Sequence, residues 1–176
     1  MSWLGSLLIC SLIIPGVLAK EGGVSNFGNH WSTVAIYTLG FALNIGFIYM
    51  AGNAVLRINP KLIYIGRVLK LLSLLTFIVF LSTFPRHFSF TYSNIHDYLG
   101  IALYSYEFLI SVWLVIKMPT AAAFSFLLIE ATGSIIGLLS VIKVIHWLFV
   151  GQVIGAAGFG LLLVLVLPKV VEQEYL

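Results

Sequence analysis

The chain has 176 residues, of which 61% are hydrophobic and 9% charged, with a formal net charge of +3; a soluble domain carries roughly 25% charge. The net charge is small and sorts by side of the membrane, which reads as topology and not as a nucleic-acid footprint, and the single cysteine, Cys10, excludes an intrachain disulfide or a thiolate metal cluster. What remains is an all-α polytopic membrane protein whose partners are the lipid bilayer and other membrane-protein subunits or copies of itself.

Six apolar segments predict six transmembrane helices in one domain: Ser2–Ala19, Ser32–Leu56, Leu62–Phe84, Tyr98–Ile116, Thr120–Ile142 and Ile145–Leu167. Each approaches or exceeds the roughly 20 residues that a crossing needs. The first has a rival reading, because Pro15-Gly16 before Val17-Leu18-Ala19 resembles the end of a signal peptide. No Lys or Arg precedes that apolar run, which favours a retained helix. Turn chemistry separates most of the others: Gly22-Gly23 through Asn29, Asn59-Pro60, Pro85 through Asp97, and Met118-Pro119. The break at Lys143 has no Gly, Pro or Asn and is inferred because Pro119 to Pro168 is too long for one crossing.

Orientation follows from Lys and Arg. With the amino terminus inside, the cytoplasmic side collects Arg57, Lys61, Arg67, Lys70, Lys117 and Lys169, and the outer side keeps Lys20, Arg86 and Lys143. Both termini are therefore expected in the cytoplasm. The small size and the lack of a glycosylation sequon favour a prokaryotic plasma membrane.

Two acids dominate the available chemistry. Glu107 and Glu130 each fall near the middle of a predicted crossing, where a carboxylate costs about 2.5–3.5 kcal/mol on insertion scales. On the fourth helix His96, Gly100, Tyr104, Glu107 and Ser111 form one stripe at three-and-four spacing. On the fifth, Glu130, Gly133, Gly137 and Ser140 do the same. The short Lys117–Pro119 connection makes these helices antiparallel neighbours, and no Lys or Arg lies at matching depth, so at least one acid is expected in its neutral form. One reading is a proton or cation site. The other is two neutral acids acting as interhelical glue, bonded to each other, to Tyr104 or to backbone. Asn44 and Gln152 are further buried amides expected to bond across helices.

The four histidines, His30, His87, His96 and His146, all fall on the predicted outer side. Imidazole ligates zinc, copper and haem iron, so a metal or bis-His haem site is an alternative. No H-x-x-x-H, H-E-x-x-H or C-x-x-C-H motif accompanies them, and interfacial histidines bonded to headgroups or loop backbone are the plainer expectation. No cofactor is predicted. Gly133-x-x-x-Gly137 and Gly151-x-x-x-Gly155 carry the spacing that lets helix backbones approach closely. The aromatic stretch from Phe84 to Asp97 reads as an outer interfacial loop.

Leu43-Asn44-Ile45-Gly46 leading to Gly52, Phe84-Pro85 closing the third helix and His96 opening the fourth together resemble the six-helix DRAM/Sfk-like group and its prokaryotic relatives. The resemblance spans roughly Ser32 to Tyr106. It implies six helices with both termini inside and a role in lipid organisation or membrane trafficking, with no catalytic residues to carry over. In place of the usual Ser-Asp before the second helix, this chain has Ser25-Asn26-Phe27-Gly28. With no catalytic motif and abundant close-packing glycines, the leading expectation is a non-catalytic accessory or organising subunit of a larger assembly. Alternatives are a proton-, ion- or lipid-handling protein using Glu107 and Glu130, and a haem- or metal-binding protein using the histidines.

Overall fold

A computed structural model describes residues 2–17, 23–58, 62–85 and 88–175. Among the described residues seven α-helices follow one another: α1 Ser2–Ile13, α2 Val34–Ile58, α3 Ile63–Ser82, α4 Phe90–Lys117, α5 Ala121–Val141, α6 Leu148–Leu161 and α7 Leu167–Tyr175. A π-helical turn, Leu162–Val166, joins α6 to α7 without a break. Five helical stretches are long and apolar enough to cross a membrane: α2, α3, α4, α5 and the continuous α6–α7 rod. The chain is a multi-span integral membrane protein.

The first expected crossing is shorter than its hydropathy suggested. Pro15 lacks a backbone N–H and restricts the residue before it, so α1 stops at Ile13 and a short 3-10 turn, Pro15–Val17, follows. Twelve residues rise about 18 Å, well short of the roughly 30 Å hydrocarbon core. The helix lies antiparallel to α2: Cys10 Sγ donates weakly to Thr33 O at 3.8 Å, while Ser6 packs on Gly40. It therefore reaches about halfway down α2. The remainder of the predicted segment, residues 18–19, lies outside the described residues, as does Asn59-Pro60.

Two other boundaries move. The fourth helix begins at Phe90, eight residues before the expected Tyr98, because the Ser89 side chain caps it by accepting from Tyr92 N at 3.3 Å. The expected outer loop is thus largely helix. The last helix continues past Leu167. Pro168 cannot donate to the fourth carbonyl back, and the rod accommodates it by widening into the π turn just upstream. At the weakest predicted break, Lys143 takes φ 61° and ends α5 in a Schellman closure: Val144 N donates to Leu139 O at 2.9 Å and Lys143 N to Ser140 O at 3.1 Å.

Packing divides the interior. One apolar cluster, including Leu69, Leu72, Leu103, Leu114 and Phe159, fills the half nearer the α2–α3 and α4–α5 connections. A second, including Leu7, Cys10, Phe27, Tyr37, Phe41 and Phe80, fills the opposite half. The tightest helix pair is α5 with α6. A Cβ on Gly133 would come within 2.6 Å of Gly151 O, and one on Gly158 within 2.7 Å of Phe126 O. The Gly133/Gly137 and Gly151/Gly155 motifs therefore meet each other inside one chain. A second glycine contact, absent from the sequence reading, joins α2 to α3, where a Cβ on Gly66 would stand 2.9 Å from Gly52 O.

Candidate functional site: a cavity lined by Glu107

The two apolar clusters do not meet. Between them lies a cavity of about 290 Å³, walled by α1, α2, α3, α4 and the α6–α7 rod. Helical periodicity on α4 turns His96, Gly100, Tyr104 and Glu107 toward it. Asn44 of α2 and Gln152 of α6 also line it, and Leu163, Val164 and Leu167 bring the π turn to its wall. The stripe read from the sequence is therefore a real surface, facing a hollow.

Glu107 is ten residues before the end of α4, about 15 Å by the helical rise, and Glu130 is nine beyond the start of α5, about 14 Å. Because the helices are antiparallel and joined at that end, the acids lie at matching depth. They are not equivalent. Glu107 is half-buried at the cavity, whereas Glu130 is 2% exposed, packed where α5 meets Gly158 of α6.

Among the described residues no hydrogen bond joins Glu107 to Glu130, or either acid to Tyr104. Ser111, one turn beyond Glu107, is near enough to influence the Glu130 carboxyl, yet Ser111 Oγ and Glu130 Oε2 both lack a hydrogen bond of normal geometry. A buried polar atom without a partner carries a desolvation cost of about 1–3 kcal/mol. The Asn44 amide, expected to bond across helices, has no such bond among the described residues and lines the hollow instead.

Gln152 does bond across the fold, to a partner that no local sequence signal indicates. Its Oε1 accepts from Val24 N at 2.7 Å. Val24 opens a 3-10 segment, Val24–Asn29, which covers the end of the bundle nearer His96. Phe27 is wholly buried beneath it, edge-on to Phe149 at 5.7 Å, and Thr33 Oγ1 donates to Phe27 O at 2.7 Å.

The histidines disperse. His96 is buried two turns into α4, with Nδ1 2.8 Å from Ser82 Oγ. His30 and His146 are exposed, and His87 lies outside the described residues. Among the described residues no three His, Cys, Asp or Glu side chains converge as a metal centre would require. Comparison of the chain with protein-family models, curated proteins and solved structures finds no match in any of the three. The chemistry of the cavity therefore has to be argued from its own residues.

Proposed function

We propose that the protein binds and releases protons at Glu107 within this cavity, with Glu130 as the second carboxyl of the site. The observation that carries the reading is Glu107 itself, an acid inside a membrane span that lines a hollow large enough for water, with Glu130 level with it on the adjacent helix but buried against α6. Tyr104 on α4, Tyr37 on α2 and, toward one end, His96 line the cavity with Glu107, and among the described residues no Lys or Arg does. An acid within a membrane span that faces the bundle interior is rare and marks a functional site, proton relays among them. The accessory-subunit reading drew on the lack of a soluble domain and of a catalytic motif, on short loops and on close-packing glycines; of these, the glycines of α5 and α6 pack on each other. The proposed orientation puts the Arg57, Lys117 and Lys169 end in the cytoplasm, where the Lys and Arg excess belongs. The resemblance to the DRAM/Sfk-like group is kept as a proposal, with the cavity-lining Asn44 the one residue of its motif that touches the site.

The test is proton flux into vesicles containing the purified protein, followed with an internal pH dye. Glu107→Gln keeps the shape and the hydrogen-bonding capacity but removes the titratable proton. The expected result is a folded Glu107→Gln protein with flux reduced to background. Full flux in that variant, or none in the wild type, overturns the reading.

A further inference from the structure

A second hollow adjoins the first. The helices α4 and α5 pack together near their connection and diverge toward the other end, leaving a crevice of about 580 Å³. Its walls are apolar, with Phe108 and Leu109 on one side and Ile135 and Leu138 on the other, all exposed at the bundle surface. Gly133, Gly137 and Gly151 form the floor, so the close approach of α5 to α6 also hollows out this groove. From Asp97 to Leu109 it runs twelve residues, about 18 Å by helical rise. That is the depth of one leaflet, half of the roughly 30 Å core.

Crevice and cavity share His96, Gly100, Tyr104 and Gln152. The junction is at Gly100, where a Cβ would meet nothing within 4 Å. Unlike Gly133, this glycine makes no close backbone approach. Its missing side chain leaves open the passage between the lipid-facing groove and the cavity lined by Tyr104, Asn44 and Glu107.

From this geometry we infer that crevice and cavity form one binding site for an uncharged single-chain amphiphile, entering sideways from the bilayer with its chain between α4 and α5 and its hydroxyl- or carbonyl-bearing head past Gly100. This rests on the proposed function only in taking Glu107 as the polar end of the site, and it does not require proton movement. The head must be uncharged for two reasons. An anionic head would meet Glu107 with no Lys or Arg lining either hollow. A cationic head would have to leave the interface and shed its hydration at hydrocarbon depth. A hydroxyl or carbonyl, by contrast, suits the Tyr104 hydroxyl and Asn44 amide, which donate and accept readily.

The experiment uses the full chain in nanodiscs and a long-chain alcohol carrying a diazirine in its chain, compared with the same chain ending in an amine or a phosphate. Photolabelling should fall on Phe108, Leu109 or Ile135, with the alcohol preferred over both charged forms by about tenfold or more. Gly100→Leu, which fills the passage, should remove that preference. Gly46→Leu, at an equally open glycine outside both hollows, should not. Should Gly100→Leu fail to fold, Ser105→Phe narrows the crevice from its exposed side and should reduce labelling equally. Equal labelling by all three chains would mean ordinary boundary lipid and would overturn the inference, as would preference for the amine or the phosphate. The two readouts separate the proposals: wild-type protein that carries no proton flux yet still prefers the alcohol overturns the proposed function alone, whereas flux with equal labelling by all three chains overturns this inference alone.

Discussion

Val24 and Gln152 are joined by a 2.7 Å hydrogen bond from backbone N to side-chain Oε1, although 128 positions separate them in the chain. That bond fastens the Val24–Asn29 segment over one end of the cavity. Below it sits Cys10, fully buried and the sole cysteine.

Loss of the fastening should therefore be readable at the thiol. Gln152→Leu strands the Val24 amide, at a cost of about 1–3 kcal/mol. Cys10 should react with a small maleimide markedly faster in that variant than in the wild type, while Gln152→Glu, which retains an acceptor, should stay close to wild-type rates. Unchanged labelling in Gln152→Leu would mean that the segment is held by Phe27 alone.

The glycines should split into two behaviours. Gly133→Ala places a methyl group against the Gly151 carbonyl, and overpacking of this kind costs about 1–3 kcal/mol. Gly100→Ala meets nothing and improves helix propensity, so it should be neutral or stabilising by about 0.5–1 kcal/mol. Thermal unfolding of both in one detergent decides the matter. Equal destabilisation would contradict the close α5–α6 contact.

Ser82 and His96 tie the end of α3 to the first turns of α4. Ser82 Oγ is 2.7 Å from Val79 O as well as 2.8 Å from His96 Nδ1. If the hydroxyl hydrogen goes to the carbonyl, His96 must be the donor to serine. A double-mutant cycle with Ser82→Ala and His96→Ala should give a coupling of about 0.6 kcal/mol, the average for interhelical side-chain bonds in membranes. No coupling would show that the bond does not hold α3 to α4.

Lys117 and Lys143 lie at opposite ends of α5, one in the α4–α5 connection and the other in the turn before α6. In a background with Cys10→Ala, cysteines at these two positions should be labelled from opposite faces of the membrane, with the one at 117 reached from the cytoplasm. Labelling of both from one side would remove α5 as a crossing.

Much of the site was legible from the sequence because periodicity fixes which residues share a helical face. Gly100, Tyr104 and Glu107 had to lie on one side of any helix containing them, and the Lys117–Pro119 connection had to bring Glu130 level with Glu107. The misplaced boundaries come from reading polarity ahead of capping. Ser89 signalled the start of α4, but the Ser, Asn and His residues that follow made the stretch look like loop. Pro15 likewise marked the true end of α1 inside an unbroken apolar run. The contact of Val24 with Gln152 had no local signal at all, since it depends on how distant helices close around the hollow. The same is true of the space itself: a cavity is made by residues that fail to touch, and no spacing rule reports that.

The π turn at Leu162–Val166 bears on how this rod could have arisen. A widened turn takes up one more residue than an α-helical turn does, and each residue advances an α-helix by about 100°. The bulge thus has the form of a single-codon insertion absorbed without breaking the helix. Everything downstream inherits the extra rotation, including Val170, which is 1% exposed, and Glu174, whose carboxylate meets Lys117 Nζ at 2.6 Å. Removing one residue from the bulge would swing Val170 out of the core and Glu174 away from its partner, so the register of the whole carboxy-terminal face depends on that one additional position.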